Sequence, residues 1–106
     1  MPSPDFKRTD RLSDLIKVEI SKILSFEVKD PRIQGITVLR VELSPDMKKS
    51  YIYFSAENSF NETEKSEVQD GLERAKGFIR SRLSKQLNLR RTPEIYFEEE
   101  DLLSQV

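Results

Sequence analysis

Residues 74–91 read RAKGFIRSRLSKQLNLRR. The fold is predicted by starting from this stretch and proceeding along the chain toward both termini. The apolar residues of this stretch recur every four positions, which marks one face of a helix; they are Ala75, Ile79, Leu83 and Leu87. Gly77 interrupts the pattern at a cost of about 1 kcal/mol relative to alanine. We therefore predict a kink, or a break between two helical pieces, at Ala75 and Gly77. Asn88 can adopt the left-handed conformation that ends a helix.

The same stretch carries seven basic residues and no acidic one. They are Arg74, Lys76, Arg80, Arg82, Lys85, Arg90 and Arg91. Residues 57–73 carry six acidic residues and one lysine, and residues 94–101 carry five acidic residues and no basic one, so a total formal charge of −1 hides strong segregation. Exposed helices usually mix signs, because opposite charges one turn apart stabilise a helix. The run predicts a surface that binds a polyanion, and polynucleotide phosphate is the commonest candidate.

Upstream, a first helix is predicted to begin at Thr9 or Asp10, either of which can cap it, and to end between Phe26 and Val28. Asp30-Pro31 stops it, because the residue before proline is pushed out of the helical region. The apolar face of this helix follows the three-and-four spacing of helical turns. Its members are Leu12, Leu15, Ile16, Ile20, Ile23 and Leu24.

Three strands are predicted around the two helical regions. Residues 36–43 alternate in character, and residues 51–56 are rich in aromatic and β-branched side chains. A turn signal at residues 44–47 joins them as an antiparallel hairpin. Residues 95–97 form a third strand, reached through the basic helix, and such crossovers place parallel strands in one sheet. In the first strand we expect one face to hold Thr37, Leu39, Val41 and Leu43, and the other Ile36, Val38, Arg40 and Glu42.

The predicted order is therefore helix, strand, strand, helix-kink-helix, strand. This is an α+β domain over residues 9–97, with a three-stranded mixed sheet and its helices on one face. Residues 1–8, with two prolines near the start, are expected to be a flexible arm, and residues 98–106 an acidic tail.

Cysteine and histidine are both absent. Their absence excludes disulfides, a thiol nucleophile, a Cys/His zinc site and a Ser-His-Asp triad. No apolar run approaches the roughly 18 residues of a membrane span, and the N-terminus shows no secretory signal. We expect a cytoplasmic, non-enzymatic protein without a cofactor, a metal or a membrane partner.

The element order is that of a type II KH domain, in which a helix-loop-helix element grips nucleic-acid backbone through a Gly-x-x-Gly loop. This chain has Ala75-Lys76-Gly77 at that junction instead. Further motifs are Arg8-Thr9-Asp10-Arg11, Lys29-Asp30-Pro31-Arg32 with Ile36-Thr37-Val38, residues 74–80, and residues 87–94. In these motifs, which together span residues 8–97, the sequence resembles the ribosome-binding factor A family, whose members are KH-like maturation factors of the bacterial small subunit with an Ala-x-Gly helix kink.

The resemblance implies binding to the free or immature small ribosomal subunit through its ribosomal RNA. It also implies a role in maturation and 5′-end processing of that RNA, and importance at low temperature. Two alternatives stay open: a generic single-stranded RNA or DNA binder, and a protein-interaction adaptor whose basic helix meets an acidic partner. We expect a monomer, since the sequence shows no self-complementary apolar patch.

RNA contacts are expected from the basic residues together with Gly77, where the backbone could approach a phosphate closely at the start of the second helical piece. The alternative for Ala75 and Gly77 is a packing kink without a ligand. A secondary contact, or only a turn, is expected at Lys29, Asp30 and Arg32. The predicted RNA-binding set is Arg74, Lys76, Gly77, Arg80, Arg82, Lys85, Arg90 and Arg91. The three tyrosines of the sheet, Tyr51, Tyr53 and Tyr96, either stack on bases or form a half-buried sheet face, and we favour the sheet face.

Overall fold

The computed structural model describes residues 4–56 and 61–100. The chain alternates helical segments and strands in the order predicted from the sequence. The elements are helix α1 (Pro4–Lys22), a π-helical segment (Ile23–Glu27), a 3₁₀ turn (Pro31–Ile33), strands β1 (Ile36–Leu43) and β2 (Lys49–Ala56), helix α2 (Glu62–Leu87) and strand β3 (Glu94–Glu99).

The sheet has the order β1-β2-β3, with β1 and β2 antiparallel and β2 and β3 parallel. Ile52 and Phe54 of β2 belong to one buried cluster with Ile16 of α1 and with Leu72 and Ile79 of α2. Both helices therefore pack on the same face of the sheet, and the predicted α+β architecture with a mixed sheet is confirmed.

Strand β1 differs from the predicted alternation. Its register against β2 shifts between Val38 and Arg40, so Leu39 occupies a bulge. A bulge adds one residue to one strand and reverses the side-chain parity beyond it. As a result Val38 and Val41 both lie in the core, whereas strict alternation placed them on opposite faces.

The predicted break at Ala75–Gly77 does not occur, because α2 is a single helix of 26 residues. Val68 and Leu72 are buried before Gly77, and Ile79 and Leu83 are buried after it. Burial of apolar side chains on both sides outweighs the roughly 1 kcal/mol that one glycine costs a helix. The end of the helix was predicted correctly.

The caps explain both ends of α2. The side chain of Asn61 accepts a hydrogen bond from the N–H of Glu64 at 2.9 Å, as an N-cap does. At the other end Asn88 has φ 53°, and its N–H donates to the carbonyl of Ser84. The left-handed C-terminal residue predicted at Asn88 is confirmed.

The predicted chain ends need two corrections. Helix α1 begins at Pro4 rather than at Thr9 or Asp10, because proline is compatible with the first helical turn, where its missing N–H has no partner to lose. Glu98 and Glu99 are paired with β2 and so belong to the sheet rather than to a tail. Residues 1–3 of the predicted arm and residues 101–106 of the predicted tail lie outside the described residues.

Candidate nucleic-acid interface

The basic residues of α2 lie on two sides of the helix. At 100° per residue, Lys76 and Arg80 fall on one flank of the buried stripe, and Arg74, Arg82 and Lys85 fall on the other. The first flank faces the start of β3 and the β1–β2 hairpin turn. The second faces the segment between α1 and β1. The seven predicted cations therefore do not converge on one patch.

On the second flank, Arg82 is ion-paired. Its Nη2 lies 2.8 Å from Oε1 of Glu27, and the amide of Gln86 donates to the same carboxylate. The guanidinium also lies 5.6 Å from the ring centre of Phe78. The positive charge of Arg82 is therefore largely compensated within the fold.

Asp30 and Arg32 lie in the segment that packs against this flank of α2. The Asp30 carboxylate accepts the backbone N–H, Nε and Nη2 of Arg32 at 3.0, 3.0 and 2.7 Å. These hydrogen bonds, with a smaller contribution from the charge of Arg74, lower the pKa of Asp30 from 3.8 to about 2. The segment has a structural role as the N-cap of the 3₁₀ turn, while contact with RNA remains a prediction for Lys29, Asp30 and Arg32.

The 3₁₀ turn packs tightly on α2 at Gly71. A Cβ at this position would lie 2.9 Å from Cγ2 of Ile33, which is buried. Gly77, in contrast, is exposed, and a Cβ added there would meet nothing within 4 Å. The glycine that the fold requires is therefore Gly71, which no sequence pattern singled out.

Arg80 has a structural role on the first flank. Its Nε donates to the carbonyl of Pro93 at 3.2 Å, and its Nη2 donates to the carbonyl of Thr92 at 3.0 Å. These bonds hold the connection between α2 and β3 against the helix. Because both acceptors are neutral, the positive charge of Arg80 is not compensated.

A groove of about 490 Å³ opens beside Arg80. Its lining brings together the hairpin turn, α2, the α2–β3 connection and the first residues of β3. Four of the seven lining residues are cations and one is an acid. The lining comprises Lys48, Lys49, Arg80, Arg91, Thr92, Glu94 and Tyr96.

Lys48 and Lys49 were not among the site residues predicted from the sequence. In the sheet Lys49 is the register partner of Glu94, and the carbonyl of Lys48 accepts the N–H of Glu94 at 2.8 Å. The predicted parallel pairing of the second and third strands already carried the signal. It brings the start of β2 to the start of β3, and therefore brings the hairpin lysines to Arg91.

The tyrosines of the sheet lie half-buried on the face that the helices leave uncovered. Tyr51 and Tyr96 stack with their ring centres 5.4 Å apart, and Lys76 lies 5.6 Å from the ring centre of Tyr96 while pairing with Glu73 at 2.8 Å. Arg40 covers Tyr53 at 4.0 Å. Tyr96 also lines the groove, which joins the aromatic face to the basic surface.

The remaining predicted site residues are at the surface. Lys85 and Arg90 are exposed, as is Arg74, and Ala75 packs against the core. Across residues 4–56 and 61–100 no three His, Cys, Asp or Glu residues are placed to hold a metal ion. The same residues include no helix with the length and apolarity that a bilayer crossing demands.

Comparison with known proteins gives one family throughout. The family model of ribosome-binding factor A matches residues 8–106. The chain is 50% identical over 98 residues to ribosome-binding factor A of Dictyoglomus thermophilum, covering 92% of this chain and 80% of that protein. The solution structure of a Thermotoga maritima protein of the same description is similar with a TM-score of 0.77 and 31% identity, covering 100% of this chain and 98% of that one.

A second similar structure belongs to a complex. It is a homology model of the Thermus thermophilus ribosome-binding factor A fitted into a cryo-EM map of that protein with the 30S subunit. The TM-score is 0.61 at 25% identity, over 86% of this chain and 89% of that chain. Sequence and fold agree, and the chain belongs to the ribosome-binding factor A family.

Proposed function

We propose that this protein binds the free or immature small ribosomal subunit through its ribosomal RNA. The observation that carries the proposal is the uncompensated positive charge around the groove, in a family of which one member has been fitted into a 30S complex. Phosphate contacts supply attraction and fix orientation. Shape recognition of the subunit supplies specificity.

The finer role that we propose is assistance to maturation and 5′-end processing of the small-subunit RNA in the cytoplasm, with the greatest need at low temperature. The protein acts by binding and not by catalysis. Bound RNA is restrained by contacts on a rigid surface, so the protein favours one conformation of a folding intermediate over its competitors. Cold makes this more important, because RNA misfolds that must unpair do so more slowly.

Co-sedimentation with purified small subunits over a salt series tests the binding proposal. With about five phosphates neutralised, log K falls against log[salt] with a slope of roughly −3.5 to −4.5. A slope near zero would contradict the electrostatic account. A complex that survives nuclease digestion of the RNA would instead favour a protein adaptor.

The processing proposal needs a cellular test. A bacterium that lacks its own ribosome-binding factor A is given this chain or an empty vector, and growth and 5′-end maturation of the small-subunit RNA are compared in the cold and at the growth optimum. We expect rescue of both in the cold. Rescue of neither by a chain that still binds subunits would remove the processing role and leave the binding role intact.

A further inference from the structure

We propose that the groove between the hairpin turn and the α2–β3 connection holds one unpaired nucleotide of RNA. Its phosphate lies among Lys48, Lys49 and Arg91, and its base lies against Tyr96. This inference rests on the proposed function and identifies the part of the surface that performs it. It adds an element, the β1–β2 hairpin, that lies outside the basic run of residues 74–91.

No cation of the groove is ion-paired among the described residues, and only Arg80 makes side-chain hydrogen bonds there, to neutral carbonyls. Among the described residues, neither Lys48, Lys49 nor Arg91 has a carboxylate within ion-pair distance, whereas Arg82 and Arg32 on the other flank each have one. Glu94 is the one acid in the lining. Unpaired cations around a concave surface focus a positive potential into it, so an anion is the ligand that fits.

The groove is also organised before a ligand arrives. Arg80 is fixed by its two bonds to the carbonyls of Thr92 and Pro93. A guanidinium has five N–H donors, so donors remain for a phosphate oxygen. A donor that is already held in place loses little conformational entropy on binding.

The hairpin turn is held just as firmly. Oδ1 of Asp46 accepts the hydroxyl of Ser44 at 2.6 Å and the N–H of Lys48 at 3.0 Å, and the Ser44 hydroxyl oxygen accepts the N–H of Lys49 at 3.0 Å. The hydrogen bond from the Ser44 hydroxyl lowers the pKa of Asp46, and the bond from the N–H of Lys48 makes a smaller contribution in the same direction. Met47 adopts φ 63° in this turn, a conformation that costs a non-glycine residue about 1 kcal/mol or more. The turn therefore fixes the backbone from which both lysine side chains reach the groove.

An aromatic wall completes the groove. Tyr96 lines it and continues into its stacking partner Tyr51 on the open sheet face. Aromatic side chains beside a basic groove are the usual platform for unpaired bases. The next acid beyond Tyr96 on the same face of β3, Glu98, is in register with Tyr53 and not with Tyr51, which leaves Glu94 as the one acid of the groove.

Size and access favour an unpaired nucleotide. The groove volume of about 490 Å³ falls within the roughly 300–1,000 Å³ typical of small-ligand sites. Bases of an intact duplex are stacked on their neighbours and cannot lie flat on a side chain. A duplex could touch the lysines through phosphate but would leave Tyr96 unused.

The test uses the full chain and a 12-nucleotide oligo(U) strand. The protein has three tyrosines and no tryptophan, so tyrosine emission reports on the sheet face without a label. We expect oligo(U) to quench this emission, while the duplex of oligo(U) with oligo(A) binds with little quenching. Equal quenching by the duplex, or none by oligo(U), would overturn the aromatic part of the site.

The phosphate part is tested by Lys48→Gln with Lys49→Gln, which leaves the backbone bonds of the turn untouched. Loss of this one phosphate contact lowers the salt slope by about 0.7, which corresponds to about fivefold weaker binding at 0.1 M salt. The matched control is Lys17→Gln with Lys22→Gln on α1, which removes the same charge away from the groove. Equal losses of affinity in both double variants would show that Lys48 and Lys49 contribute only nonspecific electrostatic attraction, and would refute the phosphate site.

Tyr96→Leu completes the set, with Tyr53→Leu as its control. We expect about tenfold weaker binding of oligo(U) for Tyr96→Leu at an unchanged salt slope, and little change for Tyr53→Leu, because the Tyr53 ring does not line the groove. Subunit co-sedimentation is run in parallel. Groove variants that bind subunits and oligo(U) like the unaltered chain would refute this site and leave the proposed function standing, whereas an unaltered chain that fails to bind subunits would refute the function itself.

Discussion

The two flanks of α2 carry similar numbers of basic residues, but the charges that surround these residues differ between the flanks. Toward Asp30 and Glu27, Arg82 of α2 and Arg32 of the 3₁₀ turn are engaged in ion pairs within the fold, while Arg74 and Lys85 are exposed. Toward the hairpin, Lys76 pairs with Glu73 one turn away on the same helix. The groove residues Lys48, Lys49 and Arg91 have no such partner among the described residues, and Arg80 bonds only to neutral carbonyls. A charge that is paired within the fold stabilises local structure. A charge that is left unpaired contributes to the electrostatic potential outside the protein.

This difference shows what a count of basic residues along a sequence can and cannot predict. The count found an eighteen-residue run without an acid, but Glu27, which lies far away in the sequence, pairs with Arg82, and Glu73, just before the run, pairs with Lys76. The cations that add to the unpaired charges of the run come from elsewhere, at Lys48 and Lys49. The π-helical segment after α1 brings in Glu27, and strand pairing in the sheet brings in the two lysines.

The largest effect is expected from charge reversal on the open flank. Lys48→Glu with Lys49→Glu places acids against RNA phosphate, and like charges in contact cost several kcal/mol. We expect at least a hundredfold loss of small-subunit binding, measured by co-sedimentation at fixed salt, with unchanged far-UV circular dichroism.

The control for this reversal is Arg74→Glu with Lys85→Glu on the opposite flank, which changes the net charge equally. We expect a smaller loss there, because that flank already carries the carboxylates of Glu27 and Asp30. Equal losses on the two flanks would mean that the difference in charge between the flanks does not affect binding to the small subunit. Reversal at Arg80 or Arg82 is a poorer test, since each also holds the fold together.

Two glycines of α2 allow the tightness of packing to be compared between two positions of the helix. Gly71→Ala puts a methyl group 2.9 Å from Ile33 on the packed flank. We expect a net loss of about 1 kcal/mol, because overpacking of 1–3 kcal/mol exceeds the gain in helix propensity. Urea unfolding followed by tyrosine emission measures it.

Gly77→Ala is the matched substitution in open space. Here only the propensity term remains, and stability should rise by about 0.5–1 kcal/mol. If Gly77 also allows close approach of a phosphate, the more stable variant will bind subunits more weakly. A Gly77→Ala protein that loses stability would contradict the continuous helix.

The elements that periodicity controls could be predicted from the sequence, and those set by contacts between distant segments could not. Helix α2, its Asn88 cap and the parallel crossover follow from local patterns that tertiary packing reinforces. The bulge at Leu39 depends on register against β2, which alternation in β1 alone cannot reveal. Gly71 looked like any helical glycine until the 3₁₀ turn was placed against it, and the groove required two lysines that are separated from Arg91 by about forty residues of chain.

A smaller effect is expected from the ion pair on the packed flank. A double-mutant cycle with Glu27→Gln and Arg82→Gln should give a coupling free energy of about 0.5 kcal/mol, because the Arg82 side chain is 43% exposed and solvent screens the pair. The coupling should shrink further in 1 M salt. Neither single variant should lower subunit binding as much as the hairpin variants do. A coupling that does not respond to salt would indicate packing against Phe78 in place of charge.

The smallest and most local effect is the titration of Asp30. Its pKa is lowered from 3.8 to about 2 by the hydrogen bonds from Arg32. A carboxyl whose pKa is lower in the folded state stabilises the fold above its unfolded pKa, and this contribution disappears as the pH falls from 3.8 toward 2. NMR of the carboxyl carbon should give a midpoint near 2 that moves back toward 3.8 in Arg32→Gln, while Arg74→Gln should move it only slightly, since the charge of Arg74 is the smallest of the causes that shift this pKa. A midpoint near 3.8 in the unaltered protein would mean that the Asp30–Arg32 pair is open in solution, and the packed flank would then present a free arginine, as the hairpin flank does.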